Sequence, residues 1–102
     1  MDISLDKRMK TIAIDCTVDR ESFIPLYLQI KRWLLTKIEA GQLSQGDVIP
    51  SETQFSATLR VSRGTVRQAL YELRLEGYLI RKKGLGTFYW DPLTPKKYGL
   101  RP

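Results

Sequence analysis

The chain has 102 residues, 42% of them apolar, and a formal net charge of +6. That is room for one small domain, and too much apolar content for disorder throughout. There is no histidine and one cysteine, Cys16, which excludes zinc sites, histidine acid–base chemistry, Ser–His or Cys–His nucleophiles and an internal disulfide.

Residues 1–22 read as an N-terminal extension. Thr11–Cys16 alternates, with Ile12, Ile14 and Cys16 on one face, as a short strand does. An edge strand, a dimer contact and a disordered arm all fit this segment. Nothing nearby activates Cys16, so it is expected to be an inert structural thiol. Neither this start nor any later run has the length of apolar sequence that a signal peptide or a membrane span requires. The expectation is a cytoplasmic protein without membrane contact.

From Pro25 the pattern becomes helical. Proline suits a first helical turn, Tyr27, Ile30, Leu34 and Ile38 form an apolar stripe widened by Leu26 and Trp33, and Gly41 is the natural stop. Val48–Ile49 is a short extended piece ahead of Pro50. Ser51-Glu52-Thr53-Gln54 then fits a capping box, and the short helix it opens buries Phe55 and Leu59, with Ala57 as a further candidate. A turn at Arg60–Val61 leads to Ser62, a second N-cap. The next helix turns Val66, Ala69, Leu70 and Leu73 inward and stops at Gly77. Two capped helices this close together predict a helix-turn-helix. Tyr78–Lys82 and Thr87–Trp90, joined by Lys83-Gly84-Leu85-Gly86, predict a hairpin directly after it. The predicted fold is therefore mainly α with a small β-hairpin: three helices plus a wing, over residues 23–90. Residues 91–102, with three prolines, read as a linker or tail.

Residues 60–83 hold seven basic side chains against two acidic ones, the charge pattern of a polyanion binder. In a helix-turn-helix the second helix leads into the major groove with its N-terminal turn, here Ser62, Arg63, Gly64, Thr65 and Arg67. Arginine offers the donor fork that matches guanine O6 and N7, or bridges phosphates. The hydroxyls of Ser62 and Thr65 suit phosphate, and Gly64 removes bulk where a backbone approaches. Gln68 is a candidate for an adenine edge, although it lies further round the helix. At the wing tip Lys83 supplies charge, and Gly84 and Gly86 permit a tight turn able to follow a minor groove. Glu72 with Glu76, and Asp15 with Asp19, read as solvent-facing charges. Catalysis is not expected, and no residue calls for a cofactor or metal.

Pro25-Leu26-Tyr27-Leu28-Gln29-Ile30, Ile49-Pro50-Ser51-Glu52, Val61-Ser62-Arg63-Gly64-Thr65-Val66-Arg67-Gln68-Ala69-Leu70, Glu76-Gly77-Tyr78 and Gly84-Leu85-Gly86-Thr87-Phe88 together resemble the GntR family of bacterial transcription regulators, over about residues 24–90. The opening of the first helix resembles the HutC and YtrA branches. The resemblance implies a homodimer, most simply a repressor, on a palindromic double-stranded operator. It also implies DNA contacts from Arg63, Thr65 and Arg67, with the Gly84–Gly86 tip in the minor groove. Two positions depart from the family. Thr53 stands where an arginine commonly follows Pro-Ser-Glu, and Leu85 is apolar where a polar or basic residue is usual. Ser51 and Thr53 stay candidate phosphate contacts, and Leu85 a candidate contact to sugars. Family members carry a C-terminal effector-binding domain, which this chain is expected to lack: it is either a DNA-binding fragment or a minimal protein that dimerises otherwise, in which case residues 1–22 are a candidate substitute for dimerisation. Other readings are a winged-helix protein-interaction module, and the DNA-binding head of a larger pyridoxal-phosphate aminotransferase-like regulator, although no residue here is suited to bind that cofactor.

Overall fold

The computed structural model describes residues 11–92. The first ten residues and the tail beyond 92 lie outside the described residues, and with them part of the expected extension and most of the expected linker.

Helix α1 runs Leu26–Glu39, with Pro25 at its N-cap and the Pro25 carbonyl accepting from the amides of Leu28 and Gln29. Ile30 and Leu34 of the predicted stripe are fully buried, and Leu26, Tyr27, Trp33 and Ile38 pack half-buried around them. Gly41 adopts φ +74°, and the amides of Gly41 and Gln42 return to the carbonyls of Ile38 and Lys37. This reciprocal pair satisfies two carbonyls that a helix end leaves orphaned. The same motif recurs at Gly77, whose φ is +89°.

Helix α2 (Glu52–Leu59) starts in the expected capping box: Ser51 Oγ accepts from the Gln54 amide at 3.1 Å, and the Ser51 amide donates to Gln54 Oε1 at 2.8 Å. Phe55 and Leu59 are buried, but Ala57 faces solvent, contrary to the expectation for it. In an eight-residue helix only the 55/59 stripe reaches the core. Helix α3 (Arg63–Leu75) is capped by Ser62 and buries Val66, Ala69, Leu70 and Leu73. Strands β2 (Leu79–Lys82) and β3 (Gly86–Tyr89) form the wing.

The wing is not a bare hairpin. Val48–Ile49 forms β1 and pairs antiparallel with β3, giving a three-stranded sheet of order β1-β3-β2. Asp47 explains the docking. Its carboxylate accepts from the Ser44 amide at 2.8 Å, and its carbonyl accepts from the Tyr89 amide at 2.9 Å, so the turn delivers Val48 to the free edge of β3.

Of the alternatives open for residues 1–22, the described part is an extended arm packed on the core. Thr11 makes a parallel bridge to Val48, and Ile12, Ile14, Cys16 and Val18 alternate inward. Beyond Thr11 no ladder forms, and side chains dock the arm instead. Asp15 accepts from Trp33 Nε1 at 2.8 Å and from Lys37 Nζ at 3.0 Å. Gln29 donates to the carbonyls of Asp19 and Ile24 and accepts from the Asp19 amide. Burial pushes the Cys16 thiol pKa up, in keeping with an unreactive thiol.

Arg20 closes the arm onto the helix-turn-helix. Arg60 ends α2 in a left-handed conformation (φ 59°), which costs a non-glycine residue about 1–2 kcal/mol. The Arg20 guanidinium donates to the carbonyls of Leu59 and Arg60 at 2.9 and 2.8 Å, placing a cation where the helix end is negative. Arg20→Ala is expected to lower stability by on the order of 1 kcal/mol, read as a lower urea midpoint at unchanged slope.

Glu72 and Glu76 are not merely solvated: Lys31 of α1 bridges both across to α3. Glu72 is held below the usual carboxylate range first by the Gln68 amide and then by Lys31. Asp15 is held low first by Lys37 and then by the Trp33 N–H. A carboxyl with a depressed folded pKa contributes stability above its unfolded value and loses it as pH falls through the folded one. The melting temperature is therefore expected to fall as pH drops from about 6 to 3, across the usual carboxylate range. Asp15→Asn combined with Glu72→Gln should flatten that decline. Lys31 works in the opposite sense: Glu76, then Glu72, raise its pKa, so its contribution is lost only on strong alkalinisation.

Candidate nucleic-acid interface

The start of α2, the outer face of α3 and the wing line an open cleft of about 710 Å³. Its lining unites Ser51, Thr53, Arg63, Gly64, Arg67, Gln68, Leu85 and Gly86 of the sequence-predicted set. Ser62, Thr65, Lys83 and Gly84 are not part of this lining; all but the half-exposed Thr65 are solvent-exposed.

At the head of α3, Ser62 Oγ accepts from the Thr65 amide at 3.0 Å, and the two hydroxyls are hydrogen-bonded at 2.8 Å. Both are thus oriented by each other before any ligand arrives. The cap leaves the amides of Arg63 and Gly64 without an intrahelical partner. Arg63 is exposed and forms no ion pair among the described residues. At Gly64 an added Cβ would meet only Ser62 Oγ, at 3.9 Å, so nothing inside the fold requires glycine there.

Arg67 is held by a carboxylate that the sequence reading left out of the site. Its Nη2 and Nε donate to the two oxygens of Glu52 at 3.0 and 3.2 Å. Glu52 comes from the first turn of α2, so the capping box that starts α2 also places the acid that aims Arg67. Gln68 is turned along the helix, its side-chain amide donating to Glu72 Oε2 at 2.8 Å.

At the wing tip the Leu85 amide donates to the Lys82 carbonyl at 2.9 Å, closing a turn in which Gly84 and Gly86 adopt φ +79° and +121°. Leu85 projects into solvent, 72% exposed, and Lys82 lies over the Phe88 ring. Tyr71, Arg74 and Arg81 also line the cleft, though no role was predicted for them. Their signal was present as charge, but what aligns them is the packing of α3 beside β2.

Three helices, a turn that presents α3, and a sheet ending in a basic tip define a winged helix-turn-helix. The chain belongs to the gntR family of bacterial regulatory proteins, whose family model matches residues 26–88. It is 44% identical over 75 residues to the HTH-type transcriptional repressor NagR of Bacillus subtilis, covering 74% of this chain and 31% of that protein. It thus spans about a third or less of the curated relatives it matches first. Among solved structures it resembles YtrA from Sulfolobus acidocaldarius, a GntR-family transcription factor, with a TM-score of 0.70 and 30% identity, covering 74% of this chain and 80% of that one. It also resembles the AraR DNA-binding domain solved in complex with operator ORE1 (TM-score 0.63, 28% identity), covering 79% of this chain and 98% of that one. Among the described residues no helix is long and apolar enough to cross a membrane.

Proposed function

We propose that this chain is a sequence-specific reader of double-stranded DNA in the cytoplasm, serving a transcriptional repressor that acts as a homodimer on a palindromic operator. The observation that carries this reading is the head of α3: an exposed Arg63 with no ion pair among the described residues, a bare Gly64, and an Arg67 already aimed by Glu52. The operator complex of the AraR domain and the repressor role of NagR support it by kinship. In this reading Arg63 reads guanine in the major groove, Ser62, Thr65 and the free helix-end amides hold phosphate, and the Lys83–Gly86 tip enters the minor groove. Ser51 and Thr53, at the start of α2, stand beside the adjoining backbone. Pairing of two copies sets the half-sites about one helical turn apart, or a multiple of that. Selection of bound duplexes from random DNA is expected to return an inverted repeat, and binding to it should weaken steeply with salt. Recovery of unrelated sequences with no common half-site would contradict the proposal.

Gly64 separates function from stability. Glycine inside a helix costs about 0.5–1 kcal/mol relative to alanine, and the space for a methyl group is there. Gly64→Ala is therefore expected to raise stability by that amount while weakening operator binding. Thermal melts and a binding isotherm on the same preparation check both signs.

A further inference from the structure

The cleft does not end at the recognition turn. Along α3 it continues past Arg67 to Tyr71 and Arg74, and its opposite wall is Arg81 on β2 with Thr87, its register partner on β3. Arg81 lies two residues beyond the buried Leu79, so it projects from the same sheet face, past the edge of the core. Tyr71 lies 5.6 Å from the Arg74 guanidinium, ring centroid to cation, and steadies it. Neither Arg74 nor Arg81 has an ion pair among the described residues. The acids nearby are already engaged: Glu52 by Arg67, Glu72 and Glu76 by Lys31. Two guanidinium groups with no ion pair among the described residues thus line one trough between helix and wing.

Duplex geometry says what belongs there. A helix in the major groove and a wing in the neighbouring minor groove are separated by one sugar–phosphate strand, and that strand must cross the trough between them. We propose that Arg74 and Arg81 form a clamp on the phosphates of this strand, with Tyr71 as the positioning residue for Arg74. The proposal rests on the DNA-reading function above and deepens it. The clamp recognises backbone charge and not bases, so it adds affinity to every sequence and fixes how far the wing sits from the helix.

The test uses the selected duplex and a scrambled duplex, with Arg74→Ala, Arg81→Ala, the double variant, Tyr71→Phe and Arg81→Lys. Each alanine variant is expected to weaken both duplexes by the same factor, roughly 3- to 10-fold. Each should also lower the slope of log affinity against log salt by about 0.9. Tyr71→Phe and Arg81→Lys should bind nearly as the wild type does. Uncharged methylphosphonate links in the strand between the two grooves should weaken the wild type but not the double variant. Unchanged affinity and slope in the folded double variant, with the wild type binding normally, would overturn the clamp and leave the DNA-reading function standing. A wild type that does not discriminate between the duplexes would instead overturn the reading beneath it.

Discussion

Arg67→Ala is expected to weaken operator binding by at least the 1–3 kcal/mol that a lost bidentate contact costs, roughly 5- to 150-fold. The structure explains why the effect should lie toward or beyond the upper end. In the free protein Arg67 covers both oxygens of Glu52. Truncation deletes a donor fork and also uncovers a carboxylate, which then faces an incoming polyanion. Arg63→Ala removes a contact without exposing an acid and should cost less. A double variant, Glu52→Gln with Arg67→Ala, should therefore bind better than Arg67→Ala alone. If the two bind equally, Glu52 has no part in the interface. Fluorescence anisotropy on the selected duplex at one fixed salt concentration resolves all three.

Phe55→Ala carries the largest expected loss of stability, about 3–5 kcal/mol. Phe55 is fully buried on α2 and meets Trp33 of α1 edge-on, with ring centroids 5.9 Å apart and planes at 84°. Removing the ring forfeits its burial, leaves a cavity and breaks the aromatic pair that ties α2 to α1. A domain of this size has about 5–10 kcal/mol in hand. The variant should thus sit near its unfolding threshold, and DNA binding should fall with it because α2 sets the presentation of α3. Phe23 provides the control: it is 104% exposed, and Phe23→Ala should leave the unfolding free energy within about 0.5 kcal/mol of wild type. Chemical denaturation followed by tryptophan fluorescence reports both.

Features decided by neighbours in the chain were legible in the sequence. Ser51 and Ser62 cap helices, and Gly41 and Gly77 end them, because each acts on amides or carbonyls a few residues away. The helix-turn-helix, the wing and most of the basic cleft followed from such signals. Features decided by distant segments were not legible. Val48–Ile49 becomes a strand only because the edge of β3 is free to receive it. The arm is fixed by contacts of Asp15 and Arg20 with helices that come later in the chain. Glu52 looks like an ordinary first-turn acid until α3 brings Arg67 against it, 15 residues on. Likewise Glu72 and Glu76 read as solvated charge until α1 lays Lys31 between them.

The central claim is that the head of α3 and the wing read a particular DNA sequence. The most direct measurement compares affinity for the selected duplex with affinity for its scramble, at equal length and physiological salt. Tighter binding of the selected duplex is the predicted result, by the factor of about 10³ or more typical of specific readers, with Arg63→Ala narrowing the gap. Equal affinity for the two duplexes would contradict the claim.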